Sequence, residues 1–332
     1  MKKLFLFSLP LLAAFSANAQ NDFGKAVETI NQQSAQSHIS FLASDFLKGR
    51  DAGTPEGRIA ADFIVSQFQE YGIPAYGNSY YHPFEAIVIP REGKRALYQT
   101  EPKEIAANRG NGYRELKMNN VLAVIEGELT DEYVVIGSHY DHLGIGTPVN
   151  GDSIYNGADD NASGVSAVLQ IARAIKMNGV KPKRTIIFAL WDGEERGLLG
   201  SDRFVKDCGI TGKIKGYLNF DMIGRNNDEN NPTRFVYFHT QANADLGKWM
   251  VEQPALYGLD LNPDIRAWDN PVGGSDNASF AKQGIPIIWY HTDAHPDYHQ
   301  PSDHADKINY PKMVDIARSA CLNIWNLANY NF

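Results

Sequence analysis

Two adjacent carboxylates, Glu194 and Glu195, stand in Trp191-Asp192-Gly193-Glu194-Glu195-Arg196-Gly197, directly after the apolar run Thr185 to Leu190. Placed side by side and buried, such groups repel, and one takes up a proton unless a cation or a proton in transit relieves the pair. Two roles follow: Glu195 as a metal ligand and Glu194 as a carrier of protons. A solvated acidic turn is the plain alternative for this stretch alone. It loses ground because similar groups recur behind other apolar runs. His139 and Asp141, in His139-Tyr140-Asp141-His142-Leu143-Gly144, follow Tyr133 to Gly137. Asp221 follows Gly216 to Phe220, and His291 to His299 follow Pro286 to Tyr290. Asp159 and Asp160 lie in Gly157-Ala158-Asp159-Asp160-Asn161-Ala162-Ser163-Gly164. Singly, each has an ordinary explanation as a satisfied histidine, a helix cap or an Asx turn. Chance does not readily place acids and histidines behind several successive runs. Only Cys208 and Cys321 carry thiols, so a cysteine-ligated zinc site is excluded and any metal rests on His, Asp and Glu. The two cysteines fit either one disulfide or two buried thiols.

The elements that must position these groups alternate. Strand patterns over Val121 to Ile125, Tyr133 to Gly137, Thr185 to Leu190, Gly216 to Phe220, Phe235 to Phe238 and Pro286 to Tyr290 are interleaved with helical ones. The helices are expected over Gly164 to Met177, Leu198 to Val205, Ala242 to Tyr257, Ser275 to Lys282 and Pro311 to Ala328. This predicts an α/β fold: a mostly parallel, mixed central sheet flanked by helices on both faces, in a single catalytic domain over residues 20–332. In such sheets ligands bind beyond the carboxyl ends of the strands, where the His and acid groups fall. Upstream, Ala26 to Phe46 and Glu56 to Tyr71 have helical spacing, the second starting at Thr54 as cap with Pro55 in the first turn. Lys48 to Pro55 is expected to be a loop, residues 75–118 an irregular excursion, and Ile145 to Asn161 a long polar loop.

Met1-Lys2-Lys3, an apolar run from Leu4 to Phe15 and Ser16-Ala17-Asn18-Ala19 form a secretory signal, with cleavage expected after Ala19. The run is too short to span a membrane, and no later stretch is long and apolar enough. The expectation is a periplasmic or secreted protein without a membrane span. Its formal net charge of -8 disfavours nucleic acid as a partner.

The blocks H-Y-D-H-L-G, G-A-D-D-N-A-S-G, W-D-G-E-E-R-G-L-L-G-S, N-F-D-M-I-G-R and D-Y-H-Q-P-S-D, in order between Asn120 and Ile308, resemble those of the co-catalytic di-zinc aminopeptidases. That family includes glutamate carboxypeptidases and, more distantly, glutaminyl cyclases and the transferrin receptor. The resemblance implies two zinc ions per chain. Asp159 would bridge them, His139 and Asp221 would complete one shell, and Glu195 and His299 the other. The Y-H-x-P pattern favours His299 over its neighbours His291, His295 and His304. Asp141 would accept the second ring proton of His139, Glu194 would act as general base, and Tyr298 would stabilise the oxyanion. A cis peptide bond is implied between Asp159 and Asp160. Asp276 and Asn277 would line the substrate pocket and help hold a free α-amine; the alternative is a helix cap by Ser275 or Asp276. His142, His239 and His304 are assigned to structure. Phe84 to Asn120 is too short for a protease-associated domain. The implied activity is hydrolysis of the N-terminal peptide bond of short peptides with a free N-terminus. A one-zinc glutaminyl-cyclase-type acyltransferase, or a small carboxypeptidase or dipeptidase, is the alternative. Oligomeric state, side-chain preference and native metal are left open.

Overall fold

The computed structural model describes residues 23–241, 245–248, 258–268 and 273–330. The expected signal, residues 1–19, lies outside them, as does most of the helix expected over Ala242 to Tyr257, of which residues 245–248 are helical.

The described strands form a nine-stranded sheet and a separate hairpin. The sheet comprises β1 (Tyr81–Arg91), β2 (Lys94–Gln99), β3 (Arg114–Ile125), β4 (Tyr133–His139), β7 (Thr185–Trp191), β8 (Ile214–Phe220), β9 (Arg234–His239), β10 (Asn262–Ala267) and β11 (Ile287–His291), and the hairpin comprises β5 (Gly144–Val149) and β6 (Asp152–Tyr155). Across the sheet the order is β10-β9-β11-β8-β4-β7-β3-β1-β2. At its centre β11, β8, β4 and β7 run parallel, so their carboxyl ends share one edge. β7 is buried at every position, as a strand covered on both faces should be. Its alternate residues part between two cores. Ile186, Phe188 and Leu190 face a layer built from α1 (Gln32–Leu42), α2 (Pro55–Glu70), α4 (Gly164–Asn178) and α7 (Tyr310–Asn329). Ile187, Ala189 and Trp191 face Phe204 of α5 (Leu199–Asp207) and Phe280 of α6 (Asn277–Ala281).

Local signals set the helix ends. Thr54 accepts a hydrogen bond from the Gly57 N–H at 3.1 Å, with Pro55 in the first turn of α2. Asn309 does the same for α7 through the Lys312 N–H. The helix expected as one piece over Ala26 to Phe46 is interrupted, because Asn31 adopts an extended conformation and caps α1 through the Ser34 N–H.

Two loop expectations are corrected. Residues 75–118 are not irregular: they hold β1, β2, α3 (Pro102–Asn108) and the start of β3. β1 and β2 lie at the margin of the sheet, where lysine and arginine discourage further pairing, and that charge obscures the strand pattern. The polar stretch from Ile145 contains the β5–β6 hairpin. Both cysteines are free thiols, with Cys321 buried in α7.

α4 approaches the sheet closely because its first residue has no side chain. A Cβ on Gly164 would stand 2.4 Å from Asn161 Oδ1 and 2.5 Å from Ser138 Oγ. Gly164→Ala is expected to cost about 1–3 kcal/mol through overpacking, read as a lower denaturation midpoint in urea with an unchanged m value.

Candidate metal centre

The parallel strands deliver the chemistry side by side. β7 ends at Trp191 and turns through Asp192 and Gly193 into Glu194 and Glu195. β4 ends on His139, β8 is followed by Asp221, and β11 ends on His291. The crossover from β6 to α4 brings a wide helical turn, Ala158–Ser163, over the same edge.

One carboxylate lies between two groups of donors. Asp160 Oδ1 is 3.3 Å from His139 Nε2, which is 3.6 Å from Asp221 Oδ1. Asp160 Oδ2 is 3.2 Å from His299 Nε2, which is 3.3 Å from Glu195 Oε2. His139, Asp160, Asp221 and Glu195 are buried. Several of these short approaches are not aligned hydrogen bonds: among the described residues, His139 Nε2 and Glu195 Oε1 are buried without a hydrogen-bond partner. Donors that crowd together without bonding to one another fit a cation between them, and imidazole with carboxylate is a set that zinc accepts.

The place between the two donor groups therefore belongs to Asp160, where the sequence pointed to Asp159. The Asp159 carboxylate turns away: Oδ1 accepts the Gly224 N–H at 2.6 Å and Oδ2 lies 3.2 Å from His295 Nε2. The cis peptide bond is likewise one residue later, at Asp160–Asn161. The expected order had both features at the first of two adjacent aspartates, and remote hydrogen bonds decide otherwise. Asp303 accepts the N–H groups of Asp159 and Asp160 at 3.0–3.1 Å. Asn161 donates to the Phe220 carbonyl at 2.8 Å and accepts the Gly164 N–H at 3.0 Å.

Arg50, which the sequence placed in a loop without assigning it a role, clamps this turn from below. Its fully buried guanidinium donates to the carbonyls of Tyr140, Leu42, Asn156, Gly157 and Asp160. Burial pulls its pKa down to about 10, against the pull of Asp160, Asp303, Asp141 and Glu195. Nothing in the local pattern announces such a residue, because its partners are backbone oxygens ninety or more residues away, apart from Leu42.

Asp141 has two tasks. Its backbone carbonyl is 3.1 Å from His139 Nδ1, while its carboxylate stands farther off at 3.7 Å. The carbonyl thus takes the place expected for the carboxylate. The carboxylate instead accepts the N–H groups of Glu194 at 3.0 Å and Glu195 at 3.3 Å.

The charges separate the two glutamates. For Glu195, burial and Asp160 act to raise the pKa, but His142 and His299 outweigh them and bring it to about 2. Glu194 has no such partners. Although only half-buried by its surface, it is pushed well above the usual carboxyl range by desolvation, Asp221, Glu195 and Asp276, against His139. Burial opposes protonation of His299, yet Asp160 and Glu195 lift it to about 10. His139 is raised too, against its burial, by Glu194 and Asp221. These imidazoles hold protons where a divalent cation would serve the same electrostatic end.

A cavity of about 160 Å³ opens on the cluster, lined by Asp160, Glu194, Asp221, Met222, Trp289 and Tyr298 among others. Tyr298 stacks on His299 with ring centroids 3.8 Å apart, and partial burial beside Asp160 and Asp221 holds its hydroxyl protonated. Asp276 and Asn277 do not line this cavity as expected. Both are fully buried at the start of α6, where Gly274 forms the wall instead. Asp276 stands at the N-cap of α6, but its side chain makes no capping hydrogen bond.

Sequence comparison accords with the geometry. A profile of peptidase family M28 matches residues 120–323, more than half of the chain. The chain belongs to peptidase family M28. Leupeptin-inactivating enzyme 1 of Streptomyces exfoliatus is 34% identical over 170 residues, covering 51% of this chain and 34% of that protein. A probable leucine aminopeptidase 1 of Trichophyton verrucosum is 30% identical over 212 residues, covering 60% of this chain and 55% of its own length. The chain thus spans about a third to about half the length of these relatives. The solved aminopeptidase from Aneurinibacillus sp. strain AM-1 superposes with a TM-score of 0.67 at 20% identity, covering 93% of this chain and 97% of that one, and shares the fold. The M28 match begins at Asn120 and so leaves out Arg50. Arg50→Lys keeps a charge but cannot reach five carbonyls, and is expected to cost roughly 3 kcal/mol or more in equilibrium unfolding.

Proposed function

We propose that this M28 chain is an exported zinc-dependent aminopeptidase, hydrolysing the first peptide bond of short peptides. The observation that carries the proposal is Asp160, whose two oxygens face separate donor sets while Glu194 opens on the same cavity. Two zinc ions would be held by His139, Asp160 and Asp221 and by Asp160, Glu195 and His299. When bound, zinc supplies Lewis acidity toward a carbonyl and a water acidic enough to lose its proton near neutral pH. Glu194 then accepts that proton on its carboxylate and hands it to the departing amine. Desolvation and the neighbouring carboxylates raise its proton affinity, which favours the transfer. Asp141 fixes Glu194 through the backbone N–H, so that its carboxylate keeps one place during the exchange. The Tyr298 hydroxyl, held protonated, donates to the oxygen on which negative charge develops.

Charge distinguishes the two ends of a peptide. The named cavity residues include Asp160, Glu194 and Asp221 but no lysine or arginine. A terminal carboxylate finds no guanidinium or ammonium partner among them, which favours the amino end of a peptide over its carboxyl end. Met222, Trp289 and Ala294 give the wall apolar surface, in keeping with an uncharged first side chain and with the name of the leucine aminopeptidase relative. Export rests on the basic, apolar and A-x-A order of residues 1–19, and N-terminal sequencing of the processed protein should begin at Gln20.

The test is an arylamide panel. Leucyl-arylamide should be cleaved, activity should be lost on chelation and regained with zinc, and Glu194→Gln should retain zinc while turnover falls by about 10²–10⁴-fold. Full turnover in that variant removes Glu194 from the mechanism. Cyclisation of N-terminal glutamine without arylamide cleavage overturns the aminopeptidase reading.

A further inference from the structure

We infer that His142 is a fourth protein ligand of the Glu195 side of the centre, which makes the two metal positions unequal. This inference rests on the zinc reading above. His142 is wholly buried, and among the described residues neither ring nitrogen makes an aligned hydrogen bond. An imidazole in that condition is costly unless something satisfies it. Its Nδ1 lies 2.8 Å from Glu195 Oε1 and 3.8 Å from Asp160 Oδ2. The donor atoms of His142, Asp160 and Glu195 all fall within 4.8 Å of one another. Donors around one zinc at about 2.0–2.2 Å stand about 3.3 Å apart in a tetrahedron, between the two separations seen here. His299 joins the group, its Nε2 3.2 Å from Asp160 Oδ2 and 3.3 Å from Glu195 Oε2 and its ring centroid 5.9 Å from that of His142.

The ring sits in a built slot. The His142 N–H donates to the Arg50 carbonyl at 3.3 Å, and Asp51 forms a β-bridge with His142. On its other flank is Gly157, at φ 61°, where a Cβ would stand 2.5 Å from His142 Cδ2. Only glycine leaves the imidazole room in this position. The slot thus aims the imidazole at the Asp160–Glu195 pair.

With His142, the Glu195 side has two imidazoles and two carboxylates, a closed four-donor set. The opposite side has His139, Asp160 and Asp221, three protein donors with room for an exchangeable ligand. Closed sets hold zinc structurally, and three-donor sets leave a place for water or substrate. The ion beside Glu195 is therefore the tightly held one, and exchange of water and substrate belongs to the ion beside His139.

X-ray absorption and zinc titration of the full mature chain test this. The wild type should bind two zinc ions sharing three imidazoles, and His142→Ala should show two imidazoles. One zinc site should weaken by more than the roughly 10–100-fold that loss of an outer partner costs, with partial rescue by free imidazole. Circular dichroism of the metal-free variant checks its fold, and His142→Gln replaces it if the alanine variant fails. An unchanged imidazole count with both zinc affinities retained overturns the role of His142 alone. A wild type that takes up no zinc overturns the zinc reading itself.

Discussion

The mutual repulsion of carboxylates at the carboxyl edge of four parallel strands is the constraint around which this protein is built. Asp141, Asp160, Glu195 and Asp221 are all buried there, with Glu194 beside them. Such a gathering is stable only where opposite charge or directed N–H groups answer each carboxylate. The answers come from four sources: the histidines His139, His142 and His299; the guanidinium of Arg50; the backbone N–H groups of Glu194 and Glu195 on Asp141; and the cation whose place the donors outline. Much of the surrounding loop structure is explained by this need.

The same constraint divides neighbours into different roles. Glu194 and Glu195 have backbones held by a single aspartate, yet one side chain meets two imidazoles and the other opens on a cavity. Asp159 and Asp160 part in the same way, one toward Gly224 and His295 and the other toward His139 and His299. In each pair chemistry follows the direction in which the turn presents the side chain, which residue type alone does not specify.

This explains what could be read from the sequence. The central strands were legible because they are continuous apolar runs, and the acids and histidines that follow them marked the edge where a site belongs. β1 and β2 were not, because marginal strands carry charge that resembles a loop. Choosing between Asp159 and Asp160 required knowing that Asp303, well over a hundred residues later, would capture their N–H groups. Arg50 was invisible because its partners are carbonyl oxygens, which every residue possesses. His142 lay in plain view inside H-Y-D-H-L-G, but the strand pattern does not say that a glycine at 157 would leave its ring a slot.

Arg50 also bears on where this enzyme fold can be divided. The segment that carries the family's signature begins at Asn120, and every donor of the centre falls inside it. The residue that fastens the Asp160 turn comes from outside, on the chain leading into α2, and the same lead-in supplies the Asp51 that pairs with Arg196 beside the two glutamates. The signature segment is therefore not a self-sufficient module. Its geometry is completed by an N-terminal brace, so a substitution at Arg50 or Asp51 would reach the turns that carry Asp160 and the two glutamates without touching any candidate ligand.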